Sequence, residues 1–307
     1  MKSITASAPA KVNLIFEVGN LEANGFHNVN SLYLALDLRE EVTISPGLPG
    51  TGISIYVSGE NLPARHIAAV PTNESNLVSR VATLLSQELG INIPDIQIDI
   101  LKRIPVAGGM AGGSADAAAM LVAFNEYAHQ NLGTTKLTQN QLLDFASQLG
   151  SDISFSILGE LAIGVGRGDQ LQALPVFSFE THWVIAVSQQ GLSTPLVYAK
   201  LDELGAHSTF SDLETTSRGV KSSAELAKVL KNSLEAAAIA LMPNLETLKD
   251  SIEELGALRA IVSGSGPTIA ALCSSKEQAE SIALTLNAQG IFALTAGSPA
   301  HGANLDL

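Results

Sequence analysis

The densest glycine cluster in the chain is the segment 107–114, AGGMAGGS, and an alanine-rich run, ADAAAMLVAFNEYAH, follows it at once. A glycine loop that opens directly into a helix leaves backbone N–H groups unobstructed at the positive end of the helix dipole, where an anion such as phosphate is stabilised. Ser114 either caps that helix or offers its hydroxyl to the anion. The spelling is neither a P-loop, which ends in GK[ST], nor GxGxxG, because the glycines stand at 108, 109, 112 and 113. A close-packed turn with glycines at positive φ is the other reading. The stretch Ser263-Gly264-Ser265-Gly266-Pro267-Thr268 is by itself a tight hairpin. Paired with the first loop, it becomes the opposite lip of a phosphate cleft.

Two charged residues stand in apolar surroundings. Lys11 lies between Ala10 and Val12, either snorkelling at an edge or placed in a site. Asp152 precedes the apolar segment ISFSIL, where it either caps a helix or serves a site. They are more than a hundred positions apart, and spacing does not pair them. The six histidines are dispersed without an HExxH pattern, and the single cysteine, Cys273, sits in a segment (IAALC) that reads as a buried strand. A zinc enzyme is not expected.

Elements that must carry these groups follow from periodicity. A strand is expected over 9–18 with a turn at Asn24-Gly25, an apolar stretch over 29–38, and antiparallel-looking strands at 41–44 and 53–57. Helical spacing covers 75–89, strict alternation covers 96–100, and further helices follow the glycine loop and span 138–149. The glycine-rich 157–169 predicts paired strands. After a domain change near 170–180 come a strand at 183–188, a helix near 195–203 and a polar stretch at 205–223. Helices then occupy 224–241 and 243–255. Strands at 258–263, 268–273 and 291–296, with a helix at 276–288, complete an α+β sandwich.

With 307 residues, 46% hydrophobic and only 15% charged, the chain builds a large core easily. Its net charge of −13 argues against nucleic acid or an anionic membrane as partner. It leaves room for small anions held by backbone N–H groups and one lysine. Neither a transmembrane run nor a secretory leader is read, so the cytoplasm is expected.

Taken together, the PAKVNL strand, the PVAGGMAGGSADAA loop and helix, and the SGSGPT loop, in that order, resemble the GHMP kinase superfamily. Further segments are most similar to the branch acting on 4-diphosphocytidyl-2-C-methyl-D-erythritol in the non-mevalonate route to isoprenoid precursors, especially its actinobacterial members. They are Asn24-Gly25-Phe26-His27, Leu149-Gly150-Ser151-Asp152-Ile153-Ser154-Phe155 and Gly164-Val165-Gly166-Arg167-Gly168-Asp169.

The resemblance implies a two-domain α+β fold. A lobe like domain 2 of ribosomal protein S5 (1–172) and a ferredoxin-like lobe (173–307) would meet at an active-site cleft. It implies phosphoryl transfer from ATP, with Mg²⁺, to the 2-hydroxyl of the acceptor, by a monomer or homodimer. Asp152 matches the catalytic aspartate. Lys11 matches the lysine that pairs with it and stabilises charge at the acceptor oxygen. Pro105, Val106, Ala107, Gly108, Gly109, Met110, Ala111, Gly112, Gly113, Ser114 and Ala115 match the ATP loop. Phe26 and Tyr198 match two faces that stack on cytosine, His27 the residue reading its edge, and Asn13 a contact to the acceptor hydroxyls.

Departures are Met110 and Ala111 where the common loop has Leu and Gly, Ala115 for a second serine, Ser233 for an aspartate at a helix start, and Phe26 for a tyrosine, a change that stacking should survive. Two other readings stand beside this one: a GHMP kinase for a different small alcohol, and a catalytically silent sensing protein on the same fold. The presence of both Lys11 and Asp152 weighs against the latter.

Overall fold

The computed structural model describes residues 1–106, 108–188 and 190–306. Strands β1 (Ile4–Leu21), β2 (His27–Pro46) and β3 (Ile53–Gly59) open the chain. Helices α1 (Ala64–Ala68) and α2 (Leu77–Glu88) lead to β4 (Ile96–Lys102). Beyond the glycine loop come α3 (Gly112–Leu132), α4 (Gln139–Leu149), α5 (Ser151–Leu158), β5 (Leu161–Gly166) and β6 (Gln170–Leu174). The second half starts with β7 (Thr181–Val187), α6 (Thr194–Leu204), α7 (Leu213–Gly219), α8 (Ser223–Val229) and β8 (Lys231–Asn232). It ends with α9 (Glu235–Leu241), α10 (Asn244–Glu254), β9 (Arg259–Val262), β10 (Thr268–Cys273), α11 (Lys276–Ala288), β11 (Ala293–Ser298) and β12 (Asn304–Leu305). None of the described helices is long and apolar enough to cross a membrane.

Two sheets organise the α+β fold. The first has the path β12-β1-β2-β4-β3, with β5 and β6 continuing from β2 and β8 parallel to β1. The second, β11-β7-β10-β9, is antiparallel and takes all its strands from 181–298. Its chain order, strand, helices, two strands, helix, strand, is the ferredoxin-like arrangement. One apolar core runs through both, joining Val12 and Phe124 to Trp183, Ile185 and Leu272.

Local chemistry fixes the strongest elements. Asn76 caps α2 by accepting from Val78 N–H, and a Thr138–Gln141 capping box starts α4. Gly133, at φ +72°, ends α3. Several expectations are corrected by pairings that only the fold creates. The stretches 29–38 and 41–44 are one strand, β2, and β3 runs parallel to β4 instead of joining an antiparallel set. The polar stretch 205–223 contains α7, capped by Asp212. The helix expected over 224–241 is broken. Lys231 and Asn232 pair with Ile15 and Phe16 of β1, and Asn232 Nδ2 donates to the carbonyls of Val262 and Gly264, both at 2.7 Å. Ser233 does more than begin a helix: its hydroxyl accepts from Val18 N–H and meets Ser208 Oγ at 2.6 Å.

A charged cluster lies under the glycine loop. Lys102 Nζ is 2.6 Å from both Glu40 Oε1 and Asp116 Oδ2, and all three side chains are buried. Two carboxylates around one ammonium carry an excess negative charge. Burial, then the neighbouring Asp116, pushes the Glu40 carboxyl up to about 8, and burial raises Asp116 as well. A carboxyl raised in the folded state contributes stability that is complete below its unfolded value near 4.5 and is lost as pH rises through about 8. Urea denaturation should therefore show wild-type stability declining between pH 5 and 8. Asp116→Asn removes the excess charge and should flatten that decline. Parallel pH curves for the two proteins would rule out Asp116 as a cause of the raised Glu40 carboxyl.

Candidate active site

Lys11 is aimed by irregularities in β1. The register against β2 shifts between Pro9 and Ala10 and again between Asn13 and Ile15, as strands do where proline interrupts a ladder. Between the shifts, Lys11 and Asn13 stand two residues apart on one face. Lys11 Nζ donates to Asn13 Oδ1 at 2.7 Å, and Asn13 Nδ2 donates to Ser31 Oγ at 2.8 Å. Lys11 is only 5% exposed, so its ammonium is placed in the site and does not snorkel out.

Asp152 sits in the first turn of α5, after the extended Gly150 that separates it from α4. Its Oδ2 is 3.9 Å from Lys11 Nζ, an ion pair without a direct hydrogen bond. The Tyr33 ring centroid is 5.6 Å from the same ammonium. Burial, with the charge of Asp152 second, pushes the Tyr33 phenol well above its usual value and Tyr198 up to about 12. Both therefore present hydroxyl donors at neutral pH. Glycine at 164 makes room for Tyr33, because a Cβ there would come within 2.5 Å of its ring.

The two glycine loops touch. A side chain at Gly109, which has φ +68°, would meet the Ser263 carbonyl oxygen at 2.2 Å, and Ser263 Oγ donates to the Gly109 carbonyl at 3.2 Å. Lys11 N–H donates to the Met110 carbonyl at 3.3 Å, tying the loop to β1. Val106 N–H is held by His66 Nδ1. Ala111 takes the left-handed conformation at φ +63°, which costs a non-glycine residue about 1–2 kcal/mol. It precedes α3 without a side-chain cap, leaving the first N–H groups of that 21-residue helix open to a ligand.

The loop positions divide by what they face. Gly109 and Ala111 line a cavity of about 220 Å³ with Lys11, Asn13 and Asp152. Val106 and Gly113 line another, of about 210 Å³, together with Asn76 and Leu77. Pro105, Gly108, Met110, Gly112 and Ala115 are buried, so what they can offer a ligand is backbone. Ser114, in the first turn of α3, is partly exposed. Ala107 lies outside the described residues.

A larger cavity, about 610 Å³, adjoins the Lys11–Asp152 cavity and shares Ser151, Arg167, Thr194 and Tyr198 with it. Phe26, His27 and Tyr198 converge on its wall. The His27 and Tyr198 rings are 5.1 Å apart, and Phe26, 55% exposed, lies 5.9 Å from the Arg167 guanidinium. Tyr33, Arg167 and Thr194 escape the sequence reading. Tyr33 looks like core in an apolar strand, and the Arg167 segment carries resemblance without a role.

Known proteins resemble this chain along nearly its whole length. The chain matches the GHMP kinases N terminal domain over residues 76–160 and the GHMP kinases C terminal domain over 204–291. A protein of Nocardia farcinica named 4-diphosphocytidyl-2-C-methyl-D-erythritol kinase is 41% identical over 98% of this chain and 96% of its own length. One of the same name from Thermobifida fusca is 41% identical over 99% and 98%. A crystal structure of a 4-(cytidine 5'-diphospho)-2C-methyl-D-erythritol kinase superposes with a TM-score of 0.76 at 26% identity, covering 97% of this chain and all of that one. A homoserine kinase from Cytophaga hutchinsonii, 21% identical with a TM-score of 0.68 over 100% and 98% of the two chains, shares the fold. Likeness from end to end makes this chain a member of the GHMP kinase superfamily within its 4-diphosphocytidyl-2-C-methyl-D-erythritol kinase family.

Proposed function

We propose that this chain transfers the γ-phosphoryl group of ATP to the 2-hydroxyl of 4-diphosphocytidyl-2-C-methyl-D-erythritol, in the non-mevalonate route to isoprenoid precursors. The observation that carries the reading is the Lys11–Asp152 pair, 3.9 Å apart where a phosphate-type glycine loop meets an aromatic-walled cavity. The adjoining cavities suit an acceptor with a flat base at one end and an alcohol at the other. Phe26 and Tyr198 offer ring faces to the cytosine, His27 its edge contact, and Asn13 a partner for the acceptor hydroxyls. The nucleotide lies across the start of α3, with its phosphates on the loop and Asn76 and Val106 on the far side.

The acceptor oxygen attacks the γ-phosphorus as its proton passes to the Asp152 carboxylate. The bond from phosphorus to the β–γ bridging oxygen breaks, and ADP leaves. Lys11, steadied by Asn13, stabilises negative charge at the acceptor oxygen, while the open N–H groups of α3 do so for the phosphates. Ser114 offers a hydroxyl where Mg²⁺ would be held together with phosphate oxygens. Asp116 gives Oδ2 to Lys102 while its Oδ1 is left without a partner, beside Gly113 in the cavity of about 210 Å³. When bound, Mg²⁺ neutralises phosphate charge. The division expected at 172/173 does not follow the sheets, since that boundary cuts β6 and both β8 and β12 pair with β1, but residues of both halves line the adjoining cavities, so one copy, alone or in a homodimer, completes the site.

ADP release with Mg-ATP should occur with the cytidine acceptor and not with mevalonate, homoserine or galactose, and phosphorus NMR should place the new group on the 2-hydroxyl. Turnover on another alcohol instead would overturn the acceptor. Asp152→Asn should lower kcat about 10²–10⁴-fold while ATP binding, followed calorimetrically, stays intact. A nearly unchanged kcat would remove Asp152 as the proton acceptor. His27→Ala should raise KM for the cytidine acceptor with little effect on KM for ATP, and an unaltered acceptor KM would take His27 out of the site.

A further inference from the structure

The histidines are dispersed in sequence, yet the fold brings two of them onto one carboxylate. Asp202, in the last turn of α6, is approached by His207 Nε2 at 2.8 Å from Oδ1 and by His27 Nε2 at 3.5 Å from Oδ2. The two imidazoles stack with centroids 5.9 Å apart and planes 18° apart. Among the described residues, this is the group of three ligand-type side chains whose donor atoms all lie within 4.8 Å of one another.

Hydrogen bonding orients the pair. His27 Nδ1 is 2.9 Å from the Gly19 carbonyl oxygen, which can only accept, so Nδ1 carries a hydrogen. In the neutral ring, Nε2 is then a lone pair facing a carboxylate oxygen. Two acceptors opposed in this way need a cation between them, either a proton or a metal ion. A backbone carbonyl fixing the far nitrogen is also the arrangement that orients metal-binding imidazoles. His207 is held by its neighbour, since Ser208 N–H donates to the Val18 carbonyl at 2.8 Å.

Two imidazoles and a carboxylate with a fourth position open are the donor set of Zn²⁺-class ions, which bind at about 2.0–2.1 Å and so want donors roughly 3.3 Å apart. The two imidazole-to-carboxylate spacings, 2.8 and 3.5 Å to different oxygens, lie on either side of that value, and all three donors stand within 4.8 Å of one another. Mg²⁺, which prefers oxygen and retains its waters, is a poor match, so the kinase's own metal does not compete here. His27 and Asp202 also line the cavity walled by Phe26 and Tyr198.

We propose that His27, Asp202 and His207 form a binding site for a divalent transition-metal ion. Its occupation takes His27 from the acceptor, so metal and acceptor exclude one another. The exclusion rests on the assignment of His27 to the cytosine, and the metal site does not. Untagged, metal-free protein titrated with Co²⁺ should develop the visible bands of tetrahedral coordination at one equivalent. His207→Ala should weaken binding by roughly tenfold or more, and His301→Ala, at an exposed histidine, should not. In the ADP-release assay, Zn²⁺ should raise the acceptor KM of the wild type without lowering kcat. His207→Ala should keep zinc-free turnover and lose that sensitivity. Equal Co²⁺ binding by wild type and His207→Ala, or none by either, overturns the metal site and leaves a proton as the bridging cation. Binding lost in His207→Ala, with Zn²⁺ inhibition that more acceptor does not relieve, overturns the exclusion. Absent turnover before any Zn²⁺ is added faults the acceptor assignment alone, because the Co²⁺ titration reads the site without substrate.

Discussion

Lys102 brings one positive charge into an interior where Glu40 and Asp116 place two carboxyls around it, and the placement of the phosphate loop depends on that cluster. Glu40 accepts from Lys102 at 2.6 Å, from Arg103 N–H at 2.8 Å and from Ile104 N–H at 3.3 Å, so it grips the chain as it leaves β4. Asp116 grips the same ammonium from the first turns of α3. The loop thus hangs between two ends fixed to a single point. Desolvating such ions costs several kcal/mol each, and apolar side chains could fill the volume as stably. Apolar contact slides, however, whereas charge-assisted hydrogen bonds set distances. Lys11 N–H to the Met110 carbonyl then ties the middle of the loop to β1, and the reacting lysine inherits the same frame.

A second polar knot fixes the other wall. Glu17, fully buried in β1, accepts from Ser211 N–H and Oγ at 2.9 and 2.6 Å, from Asn30 Nδ2 at 2.7 Å and from Lys231 Nζ at 2.5 Å. Burial pushes its carboxyl up, but these four donors more than offset that and hold it below its usual value. The next residue after Lys231 is Asn232, whose amide carries the Gly264 carbonyl. One strand, β1, therefore holds Lys11 and, through Glu17 and β8, suspends the second glycine loop. With a common apolar core beneath both sheets, the mouth of the cleft is defined by hydrogen bonds whose partners are distant in sequence.

That distance explains what could be read from sequence. Elements with periodicity or local punctuation, such as α2, α11 and β4, and α3 with its alanine-rich run after the glycine loop, are legible because their causes lie within a few residues. The break between α8 and α9 is illegible, since apolar spacing continues through it and the interruption comes from β1 and the Gly264 loop. Lys102 reads as the polar end of a strand, Glu40 as one charge between two short stretches, and Tyr33 as core. Each acquires its role from a partner tens of positions away. Lys11 and Asp152 are the sharpest case: their side chains look bland alone, and only likeness to a family joined them before the fold did. His27 and His207 had no such help, because nothing local links a turn after β1 to a loop after α6.

The chain's net charge of −13 poses a last question for a protein that handles two polyanions. At physiological ionic strength, exposed charges are screened beyond about 8 Å, so the overall negative field fades quickly with distance from the surface. Recognition must then come from groups at contact range. Lys11 and Arg167 are the cations among the described lining residues of the two adjoining cavities, and the open N–H groups of α3 add partial positive charge without any side chain. Backbone N–H groups and a buried lysine contribute little to a composition count, yet a donor held out of water weighs more than one on the surface. An acidic exterior and an anion-binding cleft are therefore compatible because they act over different distances.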